Sequence, residues 1–196
     1  MNRTFKITDR DWGSFLLELS GSYHVFVPGR LYDSIDYKLY TEDTENIVYN
    51  VAKPVTPLKM FFLPVKTNLV IEKNRYKKNV IIGIPACDLQ AIEILDAIYL
   101  DPVFVDMDYK ERRENSILIG TECFESAENC HCTSYGIEPR PGNFADASLA
   151  SVDGYKMITV LSPKGEALFR DLSGNYSAED IGPEEVSRAE VKREAI

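Results

Sequence analysis

Four cysteines are the residues of this chain whose type and spacing indicate chemistry. Three of them, Cys123, Cys130 and Cys132, fall within ten consecutive residues, and the fourth, Cys87, follows the segment Gly-Ile-Pro-Ala. Cysteines that serve only packing lie in apolar runs, whereas these have Glu, Asn, Ser, Pro and Asp as neighbours, which are typical of loops. Four thiolates that converge on one point form a ligand set for a metal ion or an iron–sulfur cluster.

The spacing of the cysteines, C-x35-C-x6-C-x-C, requires the folded chain to bring them together. It lacks the paired C-x2-C of zinc ribbons and the C-x2-C-x2-C-x3-C-P run of bacterial ferredoxins. From the residues alone, an iron–sulfur cluster, a structural zinc ion, a thiol–disulfide pair and an empty site all stay open. His131 would point away from Cys130 and Cys132 in an extended loop, so we expect it not to be a ligand.

Apolar runs precede two of the cysteines. Residues 79–84 lead to Cys87 and residues 116–120 lead to Cys123, and both runs are typical of buried parallel strands. Open α/β sheets bind their ligands at the carboxyl edge of such strands. The sequence therefore predicts that Cys87 and Cys123 leave the sheet at that edge.

A helix is predicted directly after Cys87, with Asp88 at its N-cap. Its apolar stripe comprises Leu89, Ile92, Leu95 and Tyr99, widened by Ile94 and Ile98. Residues 103–105 would form a short strand that completes a βαβ unit. A thiolate at the start of this helix is favoured by the helix dipole and by unpaired N–H groups, so we expect the pKa of Cys87 to be lowered.

The whole pattern predicts an α/β fold with a mixed, largely parallel central sheet, flanking helices and a C-terminal hairpin. A helix capped by Thr8 or Asp9 carries Trp12 as a core residue. The proline-bracketed residues 54–64 are predicted to be extended. Residues 1–175 are assigned to one α/β cluster-binding domain, and residues 176–196 to a polar linker or docking helix.

Composition narrows the class of protein. The net charge of −9 and the pI near 4.8 argue against sequence-independent binding of nucleic acid, which requires clustered Lys and Arg. No apolar run reaches the roughly 18 residues of a membrane span, and the first residues carry no apolar signal core. We therefore expect a cytoplasmic protein without a membrane partner, in which clustered cysteines bind metal or do redox chemistry rather than form structural disulfides.

Other polar residues offer no second site. His24 lies in a strand pattern with no second ligand type nearby, which favours a surface histidine. By chain connectivity Arg112 and Arg113 are expected near the cysteine loop, where they would offset the thiolate charges; a solvated face is the alternative. The sequence shows no nucleophile–base pair and no phosphate-binding loop, so we do not expect this chain alone to catalyse the making or breaking of covalent bonds.

Three motifs resemble a known family. They are Gly-Ile-Pro-Ala-Cys87-Asp-Leu-Gln-Ala-Ile-Glu-Ile-Leu-Asp, Asp108-Tyr-Lys-Glu-Arg-Arg-Glu-Asn, and Cys123-x6-Cys130-His-Cys132-Thr-Ser-Tyr-Gly. They are similar to segments of the iron–sulfur electron-transfer subunits of cytoplasmic hydrogenase and sulfite reductase complexes, the group that comprises the sulfhydrogenase β-subunit together with the corresponding iron–sulfur subunit of anaerobic sulfite reductase. The resemblance covers residues 50–170, and that family has an aromatic residue where His131 stands.

The resemblance implies a 4Fe–4S cluster held by Cys87, Cys123, Cys130 and Cys132, with a 2Fe–2S cluster or zinc as the alternatives. It implies a protein that passes electrons between two partners, of which one is a flavin- and nicotinamide-binding subunit and the other is a catalytic subunit. Members of that family continue into a ferredoxin module with two further clusters, whereas this chain has no cysteine after Cys132. The resemblance thus implies an isolated N-terminal domain or a short relative.

Two rival functions stay open on the residues alone. A zinc-stabilised protein-interaction domain would use the same four ligands without a redox role. A thiol redox protein would use only Cys130 and Cys132.

Overall fold

Apolar strands between two layers of helices make up the described part of this chain. The computed structural model describes residues 3–51, 54–64, 77–142, 144–170 and 176–182. The strands are β1 (Thr4–Thr8), β2 (His24–Leu31), β3 (Ser34–Leu39), β4 (Asn79–Pro85), β5 (Ser116–Thr121), β6 (Ala147–Val152), β7 (Tyr155–Val160) and β8 (Glu179–Asp180). The helices are α1 (Asp9–Ser22), α2 (Ala86–Tyr99), α3 (Met107–Glu114) and α4 (Pro163–Phe169), with short 3-10 turns at Leu58–Phe61 and Thr133–Tyr135.

The strands form one eight-stranded sheet in the order β3-β2-β4-β5-β6-β7-β1-β8. β2, β4, β5 and β6 are parallel neighbours in its centre, and the flanking pairs are antiparallel. This topology confirms the predicted α/β class with a largely parallel centre. The predicted hairpin is β6–β7, closed by Asp153 and Gly154, both with positive φ as a tight two-residue turn requires.

The two faces of the sheet bury separate cores. On one face α1 and α4 pack against alternate residues of β2, β4 and β5. On the other face α2, α3 and the first 3-10 turn cover the intervening residues of β4 and β5. Thr8 caps α1 by accepting a hydrogen bond from the Asp11 N–H at 3.1 Å, and Trp12 is buried as predicted.

The start of α2 differs from the sequence prediction. The helix begins at Ala86, directly after Pro85, whose extended backbone (φ −68°, ψ 151°) occupies the N-cap position. Asp88 is therefore not the N-cap, and Cys87 lies inside the first helical turn. Proline is tolerated at the start of a helix, because its missing N–H would have no intrahelical partner there.

The outer side of α2 is more exposed than the sequence predicts. Ile94 and Ile98, predicted to widen the buried stripe, are 62% and 60% exposed. The sheet covers only the side of the helix that carries Leu89 and Ile92.

Two further segments correct the predictions. Residues 103–105 form no strand: Val103 and Phe104 lie in an exposed turn, where the Asp101 carboxylate accepts a hydrogen bond from the Val103 N–H at 2.8 Å. Residues 54–64 are not extended throughout, since Leu58–Phe61 form a 3-10 turn. The restriction on the residue before a proline does not reach the positions that follow Pro57.

The end of the described chain adds an edge strand. Lys6 in β1 pairs with Glu179 in β8, and their side chains form an ion pair at 3.4 Å. Residues 183–196 lie outside the described residues, so the assignment of 176–196 to a linker or docking helix stays a prediction, as does the domain boundary. Among the described helices, none is long and apolar enough to cross a membrane.

Candidate metal centre

The register of β4 and β5 sets two cysteines side by side. Pro85 and Thr121 are paired at the carboxyl ends of these parallel strands, and Cys87 and Cys123 each follow two residues later. A bulge between Ile82 and Ile84 shifts β4 by one residue and thereby brings Pro85 opposite Thr121. The bulge requires Gly83, whose φ of +81° disfavours other residues.

The loop after β5 supplies the other two cysteines. The Cys130 N–H donates to the Ala127 carbonyl at 2.9 Å, and the Ala127 N–H donates back to Cys130 Sγ at 3.3 Å. Cys132 starts a 3-10 turn, and its carbonyl accepts hydrogen bonds from the N–H groups of Tyr135 and Ile137. These local bonds fold residues 127–137 back towards the sheet edge.

The loop closes over Cys123. The Cys123 N–H donates to the Pro139 carbonyl at 2.9 Å, which ties the end of the loop to its beginning. Pro141 packs so closely over β5 that a Cβ on Gly120 would lie 2.5 Å from it. The absence of a side chain at Gly120 therefore lets the loop return across the strand.

All four cysteines carry thiols rather than disulfides, and they line one cleft of about 130 Å³. Its lining is Pro85, Ala86, Cys87, Cys123, Glu125, Ser126, Cys130, Cys132, Thr133 and Pro139. His131 is exposed and is not part of this lining, and its ring lies 6.4 Å from that of Tyr135. His24 is exposed on β2, as expected.

The four thiols share a cleft without forming a closed ligand cage. Across residues 3–182, leaving aside the gaps in the described ranges, no three Cys, His, Asp or Glu side chains converge to metal-ligating geometry. Thiolates repel one another, and only the charge of a metal makes a close set of four favourable. A donor set of four soft sulfur atoms on one cleft fits an iron–sulfur cluster or zinc in chemical type.

The pKa of Cys123 is affected by the charges of the other three cysteines. Burial raises the pKa of its thiol to about 12, and the neighbouring Cys87, Cys132 and Cys130 contribute to that rise, as does Glu122. A metal cation at this point would reverse that effect, because it stabilises the thiolate form. Binding of metal here is therefore expected to release protons.

A buried carboxylate lies beside the site. Glu122, between β5 and Cys123, is 2% exposed, and its Oε1 lies 4.0 Å from Nε of Arg140. Arg112 and Arg113, expected near the cysteine loop, lie instead on α3 before β5, at the opposite end of that strand. Arg113 pairs with Asp96 at 3.2 Å. Arg140 is a cation next to the site that sequence reasoning missed.

Asn50 holds the first residues of the loop. Its backbone carbonyl accepts a hydrogen bond from the Phe124 N–H at 3.0 Å, and its N–H donates to Thr121 Oγ at 3.1 Å. The Asn50 backbone therefore bonds on both sides of Cys123. No local signal in the sequence marks Asn50, because its partners are about 70 residues away.

Tyr37, in β3, lies close to the start of α2. It pairs with Pro28 across β2 and β3, and Pro28 contacts Gly83 in β4. Its hydroxyl is buried and has no hydrogen-bond partner among the residues that the structure describes. Burial raises the pKa of Tyr37, and the charges of Asp88, Asp36 and Cys87 raise it further.

Comparison with known proteins agrees with the motif resemblance. No family model matches the chain. Over 147 residues the chain is 27% identical to the sulfhydrogenase 2 subunit beta of Pyrococcus furiosus, an alignment that includes 70% of this chain and 43% of that protein. The chain is similar to a hydrogenase β-subunit. It spans less than half of that relative's length, and the link to anaerobic sulfite reductase stays a prediction.

Proposed function

We propose that this chain holds an iron–sulfur cluster and transfers electrons within a multisubunit oxidoreductase of the hydrogenase type. The observation that carries the proposal is the single cleft lined by the thiols of Cys87, Cys123, Cys130 and Cys132. The similarity to a protein named as a hydrogenase subunit supports it. The same similarity supports the presence of partner subunits, and we propose that one of them binds flavin and nicotinamide while another is catalytic.

The four cysteines would hold a cluster that we propose to be 4Fe–4S, and such a cluster supplies one-electron chemistry when bound. Cys87 lies in the first turn of α2, where the positive end of the helix dipole favours thiolate charge. The Ala127 N–H already donates to Cys130 Sγ. Hydrogen bonds to sulfur and burial raise or lower a cluster's potential, so residues 127–130 would tune it.

The role we propose is transfer rather than bond chemistry. Among the described residues, the cleft lining contains cysteines, prolines, an alanine, small polar residues and one carboxylate, that of Glu125. Thiolate ligands require a reducing compartment, which favours the cytoplasm. Whether protons, sulfur or sulfite is reduced depends on the catalytic partner.

Metal and sulfide content of the chain purified without oxygen tests the proposal. We expect about four irons and about four acid-labile sulfides per chain, as a 4Fe–4S cluster requires. Replacement of any one of the four cysteines by serine should abolish that content or yield a smaller cluster. Ser126→Ala, which changes the cleft lining without removing a thiol, is the matched control and should keep wild-type content.

Two results would replace the proposal with a rival. One zinc and no sulfide per chain would leave a zinc-stabilised interaction domain. Thiol redox activity that survives Cys87→Ser and Cys123→Ser but is lost in Cys130→Ser would leave a thiol redox protein. About two irons and two sulfides would retain electron transfer but correct the cluster type.

A further inference from the structure

The Tyr37 hydroxyl is a buried hydrogen-bond donor beside the candidate metal centre. It has no acceptor among the residues that the structure describes. A buried hydroxyl without a hydrogen bond costs free energy, so native proteins contain few of them, and such a group points to a water, an ion or a redox role. The surroundings of Tyr37 indicate which acceptor this donor serves.

Strand register brings Tyr37 to the side of the sheet that α2 covers. Tyr37 in β3 pairs with Pro28 in β2, and side chains directly opposite one another on neighbouring strands lie on the same face. The Pro28 ring in turn lies so close to Gly83 in β4 that a side chain there would clash with it. Gly83 is three residues before Ala86, where α2 begins. Tyr37, Pro28 and Gly83 thus form a row across three strands that leads to the first turn of α2.

Packing holds the Tyr37 ring in this row. The ring meets that of Phe61 edge-on, with centroids 5.4 Å apart and planes at 83°, and it packs against the core between the sheet and α2. The Asp36 carboxylate accepts hydrogen bonds from the Tyr37 N–H at 2.8 Å and from the Thr56 N–H at 3.0 Å. These bonds hold the Asp36 carboxylate against the backbone rather than at the Tyr37 hydroxyl.

The charges that act on Tyr37 identify the groups near its hydroxyl. Burial raises its pKa most, and the charges of Asp88, Asp36 and Cys87 raise it further. Asp88 and Cys87 are both in the first turn of α2, which agrees with the row of contacts across the sheet. Two acceptors are therefore available at this helix turn, the Asp88 carboxylate and the Cys87 sulfur.

Metal binding would change only one of these acceptors. The Asp88 carboxylate can accept a hydrogen bond with or without a metal, yet the Tyr37 hydroxyl makes no bond to it. The sulfur of a neutral thiol is a weak acceptor, whereas metal binding removes its proton and leaves a thiolate. Hydrogen bonds to charged acceptors are the stronger ones. The acceptor that becomes available on metal binding is therefore Cys87.

We propose that Tyr37 is a positioning residue of the metal centre, and that its hydroxyl donates a hydrogen bond to the Cys87 sulfur when that sulfur is a metal-bound thiolate. Tyr37 is not among the described residues that line the cleft, so it acts through Cys87 and not on the metal itself. For an iron–sulfur cluster, a hydrogen bond to a ligand sulfur stabilises the more negative, reduced form and raises the reduction potential. The inference rests on the proposed function in that Cys87 must bind a metal.

Redox titration of the loaded chain measures the effect. The full chain is reconstituted with iron and sulfide without oxygen, and the reduced cluster is followed by electron paramagnetic resonance. Tyr37→Phe should lower the equilibrium constant for reduction about tenfold, which for one electron is a shift of about 59 mV to more negative potential. Its iron and sulfide content should equal that of the wild type, because all four cysteines remain.

Two further variants separate this bond from its alternatives. Tyr109→Phe removes a hydroxyl from the same core, one that donates to Asp96 at 2.6 Å. Asp96 is nine residues beyond Cys87 on α2, which at about 1.5 Å per residue is about 13.5 Å, so this control should leave the potential unchanged. Asp88→Asn weakens the rival acceptor. The shift caused by Tyr37→Phe should be the same in that background, because the two residues should not be coupled.

A readout without iron makes the inference independent of the cluster. Co²⁺ added to the metal-free chain should bind the thiolates and give a sulfur-to-metal charge-transfer band. A hydrogen bond to the Cys87 thiolate lowers the energy of its sulfur electrons. Tyr37→Phe should therefore move the band to longer wavelength, whereas Tyr109→Phe should not move it.

The outcomes distinguish this inference from the proposed function. In a chain that loads a cluster, a potential that Tyr37→Phe leaves unshifted would refute the hydrogen bond alone. A shift that disappears in the Asp88→Asn background would assign the bond to Asp88 and overturn the inference. In a chain that loads no cluster, a cobalt band shifted by Tyr37→Phe would support the hydrogen bond while the cluster is refuted. An unshifted cobalt band in such a chain, or binding of neither metal, would refute both.

Discussion

The side chain of Asn50 hydrogen-bonds both backbone groups of Ser151, a residue 101 positions away. Its Nδ2 donates to the Ser151 carbonyl at 2.6 Å, and its Oδ1 accepts from the Ser151 N–H at 3.0 Å. Asn50 is buried and has a left-handed backbone, with φ of 63°. Because its own backbone bonds Thr121 and Phe124, this residue joins β6 to the chain on both sides of Cys123.

Replacement of Asn50 should loosen the cysteine loop. Asn50→Gly loses the side-chain hydrogen bonds but accepts the left-handed φ, and we expect a loss of about 2 kcal/mol in the free energy of unfolding. Asn50→Ala should lose about 1 kcal/mol more, since a Cβ disfavours that conformation. Chemical denaturation measures both. Equal stability of the two variants would show that the left-handed φ has no part in the effect.

The Tyr37 hydroxyl has no hydrogen-bond partner within the described ranges of the chain, so it should be dispensable for folding. A buried hydroxyl without a hydrogen bond costs free energy, so Tyr37→Phe should stabilise the metal-free chain by about 1 kcal/mol. Tyr109→Phe is the control, because the Tyr109 hydroxyl donates to Asp96 at 2.6 Å and its loss should destabilise by about 1–2 kcal/mol. Thermal unfolding distinguishes the two. Clear destabilisation by Tyr37→Phe would mean that its hydroxyl has a partner in solution.

Stability should fall steeply in alkali. Burial raises the pKa of Tyr37, Tyr49 and Tyr109 in the folded state, whereas unfolded tyrosines ionise near pH 10. Above that pH the unfolded chain binds fewer protons than the folded one, so the free energy of unfolding drops by up to about 1.4 kcal/mol per pH unit for each tyrosine. Below about pH 9 these groups should have no effect.

Urea unfolding between pH 8 and pH 11, with tyrosinate absorbance recorded in parallel, measures this slope. Burial lowers the pKa of Lys164, which adds a slope of opposite sign. Tyr109→Phe should make the fall shallower. Ionisation of these tyrosines before the chain unfolds would contradict the assignment.

The sheet edge that carries the site was predictable because its signals are local. Apolar runs before Cys87 and Cys123 identify buried strands, and loop residues around the cysteines place them beyond the strand ends. The helical connection between β4 and β5 then favours their parallel pairing, because such a crossover carries the chain back to the sheet edge at which β4 begins.

What the sequence missed depends on contacts between remote segments. Helical periodicity predicted that Ile94 and Ile98 are buried, but it carries no information on how much of a helix the sheet will cover. Asn50 and Tyr37 approach the site only through tertiary pairing with β6 and β2. The preference for Asp at the N-cap predicted that α2 starts after Asp88, whereas Pro85 occupies the N-cap position.

Alkylation of the metal-free chain tests whether the four thiols act together. The raised pKa of Cys123, about 12, means less thiolate at any pH, so iodoacetamide should modify it at least tenfold more slowly at pH 8 than an unperturbed cysteine. Peptide mapping should show its rate still rising above pH 10. Cys87→Ser and Glu122→Gln each remove a cause of the shift and should speed the reaction of Cys123.

Metal should change this pattern in a defined direction. A bound cluster or zinc ion takes up all four thiolates, so loading should protect every cysteine from alkylation and release protons that a weakly buffered solution can report. A Cys123 rate that levels off near pH 9 and is unaltered by Cys87→Ser would mean that the thiols do not sense one another. The cleft would then hold four separate cysteines rather than one ligand set.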